Sequence, residues 1–519
     1  MCGIAGFANA PGALHAAVQR ATLDAMTHVL RHRGPDAQGQ WHDADQGIAL
    51  GHTRLAILDL SRYGEQPMWS RSGRYSLTYN GEIYNFRDLR HVLSQHGAIF
   101  QGHSDTEVLL AAFDQWGVAE TLPRLVGMFA LAVWDDETRS VTLARDRLGE
   151  KPLFYGWMGS HFVFASELKA LRCHPAWQPE INRHALALFM RYAYIPAPFC
   201  IYQGISKLPP GTALTVPVGG AMNPKTNGFS PKPYWSLNHA VHCGVNQRLT
   251  SDASAIASLD RLLRQAVQGQ MMADVPLGAF LSGGIDSSLV VALMQAQSER
   301  SVQTYTMGFD VPGYNEAAYA AAVAKHLGTA HTECYVTAQD ALSVIPSLPL
   351  IYDEPHADAS HIPAILVSQL AREHVTVCLS GDGGDELFCG YNRYLHSERT
   401  WAFARRLPPH LRKSLSYGLA AVPPSTWDRM AAFSPVQVPR VGYKMHKLAD
   451  ALRADSLTEV YRDLISYWKA PSDLVLDARE PEAFLGTRLG GDTDFLDQMM
   501  YWDMMAYLTQ VASYGIPSG

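Results

Sequence analysis

Helical and strand patterns alternate from residue 253 to residue 379, and no other feature restricts the fold of this chain as much. Residues 253–273 read as a helix, 277–281 as a strand, 287–296 as a helix, 303–309 as a strand and 316–327 as a helix. A further helix at 362–374 leads into a buried strand at 375–379. Strands separated by helices pair in parallel, because the helical crossover returns the chain to the same end of the sheet. The expectation is an α/β, doubly wound sheet, with added helices after Trp401, where the pattern becomes largely helical.

The preceding part differs. Residues 54–60 alternate in hydrophobicity, 75–79 form a β-rich run closing on Asn80-Gly81, and 128–134 is a nearly continuous apolar strand. Residues 141–145 and 161–165 look like further strands. Two amphipathic helices, 86–96 and 106–116, interrupt them, the second opened by Ser104 and Asp105 as caps. This reads as a sheet-rich α+β domain. Pro196, Pro198, Pro209, Pro210 and Gly211, then a Gly/Pro/Asn-rich stretch around 219–233, mark a composition shift. With 519 residues, too many for one ordinary core, domains are expected at 1–215 and 216–519.

Charge and composition exclude several classes of partner. A net charge of -7 leaves no basic footprint for nucleic acid and no polybasic patch for a membrane. The small cluster Arg31-His32-Arg33 runs at once into the Gly34-Pro35-Asp36 turn, which points to a local role. No run approaches the roughly 18 apolar residues of a membrane span, and the amino terminus lacks a signal-peptide pattern. Seven scattered cysteines without a CxxC pair support neither a disulfide framework nor a zinc site, which suits a reducing cytoplasm.

Cys2 follows a removable Met1, and an amino-terminal cysteine carries its own base, an α-amino group titrating near pH ~7.7–8.0. Behind it come Cys2-Gly3-Ile4-Ala5-Gly6, Arg33-Gly34-Pro35-Asp36, His52-Thr53-Arg54-Leu55, Tyr79-Asn80-Gly81-Glu82-Ile83-Tyr84-Asn85 and Ser104-Asp105-Thr106-Glu107, in that order. The string Arg145-Asp146-Arg147-Leu148-Gly149-Glu150-Lys151-Pro152-Leu153 closes the set. In these motifs the chain resembles the class II glutamine amidotransferases, whose amino-terminal nucleophile frees ammonia from glutamine. The resemblance implies an amino-terminal-nucleophile hydrolase fold, an αββα sandwich. Cys2 would be the nucleophile, with Asn80 and the Gly81 N–H holding the oxyanion. Arg54 would clamp the α-carboxylate and Asp105 the α-ammonium, with Leu55, Ala56, Ile57, Leu58 and Glu82 completing the glutamine site.

Phe280-Leu281-Ser282-Gly283-Gly284-Ile285-Asp286-Ser287-Ser288 lies between a strand and a helix and is no Walker loop, since the lysine is missing. Small side chains, open N–H groups and a helix amino terminus still make it a phosphate cradle. A second loop, Ser380-Gly381-Asp382-Gly383-Gly384-Asp385-Glu386, follows another strand. Together they resemble the ATP-pyrophosphatase domain of glutamine-hydrolysing asparagine synthetases, a match extended by Asp353-Glu354-Pro355 and by Gly390-Tyr391-Asn392-Arg393-Tyr394. The resemblance implies ATP bound by Phe280, Leu281, Ser282, Gly283, Gly284, Asp286, Ser287, Met307, Ser380 and Gly381, with Mg²⁺ on Asp286 and Asp385. A carboxylate, by default that of aspartate, would be adenylated and then amidated by the ammonia made at Cys2. The resemblance leaves room for a homodimer.

Two departures keep alternatives open. Asp382 stands where many of these synthetases have a catalytic glutamate, so the acceptor could be another carboxylate, such as a uronic acid of surface-polysaccharide synthesis. The resemblance stops near Tyr507-Leu508, whereas family members continue into a helical segment with a catalytic lysine that residues 509–519 do not match. Lys444 and Lys447 lie in another context. The expectation is a carboxyl-terminal domain without that segment, which admits a synthetase-defective glutaminase or partner subunit.

Overall fold

The computed structural model describes residues 1–219, 229–309, 315–432, 440–490 and 493–509. Most of the 219–233 stretch and of the 509–519 tail singled out above lies outside them. The first part contains β1 (Gly3–Ala8), β2 (Ala37–Asp43), β3 (Ile48–Arg54), β4 (Met68–Trp69), β5 (Tyr75–Ile83) and β6 (Gly127–Asp135). It continues with β7 (Ser140–Arg145), β8 (Phe154–Met158), β9 (His161–Ala165), β10 (Ile205–Lys207), β11 (Thr212–Pro217) and β12 (Lys232–Pro233). They form two six-stranded antiparallel sheets, ordered β10-β8-β9-β1-β3-β2 and β12-β11-β7-β6-β5-β4.

Strand periodicity explains how the sheets stack. In β1, Ala5 and Phe7 face a core built with the helix Ala16–His28, while Ile4 and Ala8 face the other sheet. In β6, Ala130, Ala132 and Trp134 meet them from that sheet, and Phe129, Leu131 and Val133 pack under the helices Phe86–Gln95 and Asp105–Thr121. Each central strand is buried on both faces, which is why the sequence reads as continuous apolar runs. The result is the αββα sandwich expected from the resemblance. Truncating a fully buried side chain at its centre, such as Trp134, would cost about 3–5 kcal/mol.

Two local expectations are corrected. Residues 54–60 are not a strand: β3 ends at Arg54, and Asp59 adopts a left-handed backbone with φ 53°. The strand that starts at Tyr75 does not close on Asn80-Gly81 but runs through it, β5 pairing with β6 as far as Ile83. The expected 215/216 division falls within β11, and pairing with β12 carries the second sheet to Pro233.

The second part holds β13 (Leu277–Phe280), β14 (Gln303–Phe309), β15 (Ala330–Val336) and β16 (Val377–Leu379), all parallel, in the order β15-β14-β13-β16. Ala279, Leu281 and Leu379 pack on one face with Val291 and Met294 of the helix Ile285–Ala296. Phe280 and Tyr305 pack on the other with Ala371 of the helix His361–Arg372. Helices on both faces make it doubly wound, and the order reverses at the β13/β16 boundary. β15 escaped the sequence reading because the polar run His331-Thr332-Glu333 interrupts its apolar pattern. Helices follow from Asn392 onward, tied by the buried carboxylate of Asp503, which accepts from Tyr394 (2.6 Å), Tyr461 (2.5 Å) and Arg393 (2.5 Å). No described helix is long and apolar enough to cross a membrane.

Candidate active sites

Cys2 stands one residue ahead of β1, whose register sets Gly3 opposite Thr53 and so brings the thiol to the end of β3. Its Sγ accepts the Leu55 N–H at 3.4 Å and lies 3.6 Å from the Leu55 carbonyl. Nε of Arg33 donates to the Cys2 carbonyl at 3.0 Å, and its Nη1 to Glu167 at 2.6 Å. Glu167 also meets His32 (3.0 Å) and Lys169 (2.7 Å). Burial opposes its ionisation, but the Arg33 charge, helped by His32 and Lys169, holds its carboxyl well below the usual range. The basic cluster near residue 32 thus does have a local role, in fixing the Cys2 backbone. Burial pushes the Cys2 thiol up, while the neighbouring α-amino group pulls it down. That group, on Met1, is itself lowered to about 5, mainly by burial. A thiol in this state is neutral near pH 7 and needs an adjacent base.

Cys2 opens on a cavity of about 50 Å³ whose wall includes Arg54, Leu55, Ile57, Leu58, Glu82 and Asp105. Ala56 is not in that wall; its N–H is held by Asp36 at 2.8 Å. The buried Arg54 guanidinium donates to the backbone carbonyls of Ser61 (2.8 Å) and Asp59, and rests on Gly64, where a Cβ would come within 2.0 Å of Nη2. Asp105, at the start of its helix, accepts from neutral donors, the Tyr79 hydroxyl (2.8 Å) and the Ile83 N–H (2.9 Å). Burial pushes its carboxyl up. Among the described residues neither group has an ionic partner, so one cavity presents a guanidinium and a carboxyl without counterions.

The two groups expected to hold the oxyanion, Asn80 and the Gly81 N–H, sit beside them. Asn80 Nδ2 is buried without a hydrogen-bond partner. In β5 every second N–H points away from β6: that of Tyr79 goes to Gln66 Oε1 (2.7 Å) and that of Ile83 to Asp105. Gly81 lies midway between them, and Phe129 opposite it turns its N–H and carbonyl to Asp146. The Gly81 N–H therefore faces the cavity. A Cβ at Gly81 would press within 2.2 Å of the Met128 carbonyl. Sequence reasoning missed Gln66, Gly64 and Lys151, which also line the site. Only the position of Lys151 within a quoted motif could have singled it out.

The second site lies at the β13/β16 boundary. Leu281 is core, its N–H bonded to Tyr305, so only its backbone borders the loop. Ser282 Oγ meets Ser287 Oγ at 2.8 Å and accepts the Gly284 N–H at 3.2 Å. Gly283 has φ 78° and touches the Tyr319–Ala320 backbone, a position open only to glycine. Gly284 starts the helix Ile285–Ala296 without a side-chain cap, leaving its first N–H groups open. Ser288 Oγ is buried and unpartnered beside them. The second loop interlocks with the first: a Cβ on Gly381 would meet Ser287 N at 2.8 Å, and one on Gly384 would meet Asp286 Cγ at 2.5 Å. Burial, then the charge of Asp385, pushes the Asp286 carboxyl up. Asp382 is exposed and accepts from Ser380 Oγ at 2.8 Å. Met307 lies on β14, while Phe280 packs into the apolar face of the sheet.

The two halves are stitched together. Lys169 donates its N–H to Asp353 at 3.0 Å, and buried Lys207 pairs with buried Glu354 at 2.5 Å, which also accepts the Ile201 N–H. Asp353 and Glu354 of the motif quoted at 353–355 thus serve the seam between the halves.

Residues 1–235 match the family model of the glutamine amidotransferase domain, and residues 258–512 that of asparagine synthase. Among curated proteins, a glutamine-hydrolysing asparagine synthetase 1 of Bacillus subtilis is 33% identical over 82% of this chain and 64% of its own length. A candidate enzyme of the same name from Mycobacterium tuberculosis is 36% identical, over 80% of this chain and 64% of its own length. A second candidate, from Methanocaldococcus jannaschii, is 34% identical over 79% of each chain. The chain therefore spans somewhat under two thirds of the length of the first two.

Proposed function

Since this chain belongs to the glutamine-hydrolysing asparagine synthetase family, we propose that it frees ammonia from glutamine at Cys2 and transfers it to an adenylated carboxylate, in the first instance that of aspartate. The observation that carries the reading is the pairing of an uncompensated Arg54 cation with an uncompensated Asp105 anion in the cavity beside Cys2. A free amino acid supplies both countercharges.

With Met1 removed, the Cys2 α-amino group takes the Sγ proton and the thiolate attacks the side-chain amide carbon. The oxyanion that forms is met by Asn80 Nδ2 and the Gly81 N–H. Return of the proton to nitrogen expels ammonia and leaves a thioester, which water hydrolyses to glutamate. In the second half, the loops at 282–288 and 380–385 would hold ATP. Two carboxylates, Asp286 and Asp385, near enough for the charge of Asp385 to help push the Asp286 carboxyl up, fit a hard divalent cation. Mg²⁺ bound there would neutralise the departing pyrophosphate. Unpaired cysteines throughout suit the cytoplasm.

One specific observation favours a second acceptor: Asp382 is one methylene shorter than glutamate and is drawn onto Ser380. A sugar acid would then replace aspartate. The test is a screen of carboxylates for glutamine-dependent release of AMP and pyrophosphate together, with Cys2→Ala as control. Aspartate-dependent release that survives with ammonia but not with glutamine in Cys2→Ala supports the full reading. Release with a uronic acid and not with aspartate replaces the acceptor.

A further inference from the structure

The turn that holds Arg54 is organised around one residue. Asp59 is buried and left-handed, and its carbonyl receives the Arg54 guanidinium. Its carboxylate accepts the Ser61 N–H (3.1 Å) and hydroxyl (2.5 Å), and the carbonyl of Ser61 is the second support of Arg54. The same carboxylate accepts the N–H of His103 at 2.8 Å, two residues ahead of Asp105. Gly102 must lack a side chain, since a Cβ there would lie 2.4 Å from Asp59 Oδ2. Both charged receptors of the cavity therefore depend on where Asp59 sits.

Asp59 is itself gripped from the other half of the molecule. Its N–H donates to Asp274 Oδ2 at 2.8 Å, and His103 Nε2 lies 2.9 Å from the same oxygen. The Asp274 N–H donates back to the Ile57 carbonyl at 2.9 Å. Asp274 follows the helix Asp252–Gln270 and precedes β13, the strand that delivers the loop at 282–288. The left-handed Asp59 is braced within the first half by its bonds to Ser61 and His103, and from the second half by these two reciprocal bonds.

We propose that Asp274 is a positioning residue for glutamine: the nucleotide-binding half clamps the Ile57–Asp59 turn and thereby keeps Arg54 and Asp105 aligned on the amino-acid ends of the substrate. This rests on the reading of the cavity as a glutamine site. The inferred effect is on affinity, because the clamp's hydrogen bonds run to the turn that carries Arg54 and to His103 beside Asp105, and none among the described residues joins it to Cys2, Asn80 or Gly81.

The experiment compares glutamine hydrolysis by the full chain with Asp274→Ala and Asp274→Asn, alongside iodoacetamide labelling of Cys2 and thermal melting. Asp274→Ala should raise KM for glutamine by about tenfold and change kcat and labelling rate less than about twofold. Asp274→Asn keeps an oxygen for the Asp59 N–H and should recover most of the loss. An unchanged KM in Asp274→Ala overturns the proposal, and so does a fall in kcat and melting temperature with KM unmoved, the mark of a scaffold residue. If the parent itself hydrolyses no glutamine, the glutamine reading fails and takes the proposal with it, an outcome visible before any variant is made.

Discussion

Arg54 and Asp105 line one cavity, yet each is held only by neutral groups, Arg54 by two carbonyls and Asp105 by a phenol, an amide and the Thr106 hydroxyl. Charges buried without counterions are expensive to the fold. Their persistence together is accounted for by a ligand that brings both countercharges.

Arg54→Ala and Asp105→Ala should therefore each weaken glutamine, by about 2–4 kcal/mol. Steady-state glutaminase assays would show this in KM, and parental KM values in both variants would contradict the receptor roles.

Asn80 should behave differently. Its unpartnered Nδ2 has work only once an oxyanion exists, so Asn80→Ala should lower kcat by about 10²–10³ with little change in KM. A variant altered in KM alone would place Asn80 in ground-state binding instead.

Glu82 offers a test through pH. Burial, partly offset by Lys151, raises its carboxyl from 4.5 to about 7. A carboxyl with a raised folded pKa contributes stability that is full below about 4.5 and lost as pH rises through about 7. Glu82→Gln stays neutral throughout, so its stability should gain on the parent's across that window, by on the order of 3 kcal/mol. Denaturant titrations at pH 4.5 and 8 would measure the gap, and a gap that does not grow with pH argues against the assignment.

At the second site, Asp286→Ala and Asp385→Ala should each weaken Mg-ATP by about tenfold or more in calorimetry while leaving Cys2 hydrolysis untouched. A parent that binds Mg-ATP with variants that bind it equally well would rule out a shared metal site.

Asp503 receives two phenols and a guanidinium in the carboxyl-terminal helices. Removing that acceptor strands a partly buried arginine charge, so Asp503→Ala should destabilise the second half by about 3–5 kcal/mol. Chemical unfolding would report it as a lowered midpoint.

Much of the sandwich was legible because strands such as β6 are apolar on both faces, and the strand-to-helix loop at 282–288 was legible because serines and glycines interrupt the apolar run of β13 just before a helical pattern. Asn80-Gly81 misled for a physical reason: the dipeptide favours tight turns, but here glycine serves the close approach of the Met128 carbonyl inside a strand. Residues 54–60 misled because an alternating pattern says nothing of the left-handed Asp59 that ends it. Asp274 was invisible altogether, since its partners Ile57, Asp59 and His103 lie some 170 to 220 positions away in the chain. Long-range polar pairs leave no local signature.

The Lys207–Glu354 and Lys169–Asp353 pairs bear on whether the halves are interchangeable parts. An ion pair as buried as Lys207 with Glu354 is tolerable only while both members are present. A first half cut loose near residue 235, or grafted to a foreign second half, would carry Lys207 without that carboxylate and Lys169 without the aspartate that anchors it. Lys169 also shares Glu167 with Arg33, which holds the Cys2 backbone, so the damage would reach the nucleophile. The two halves form a matched set rather than modules, and any chimera must carry Asp353 and Glu354 along with the first half's lysines.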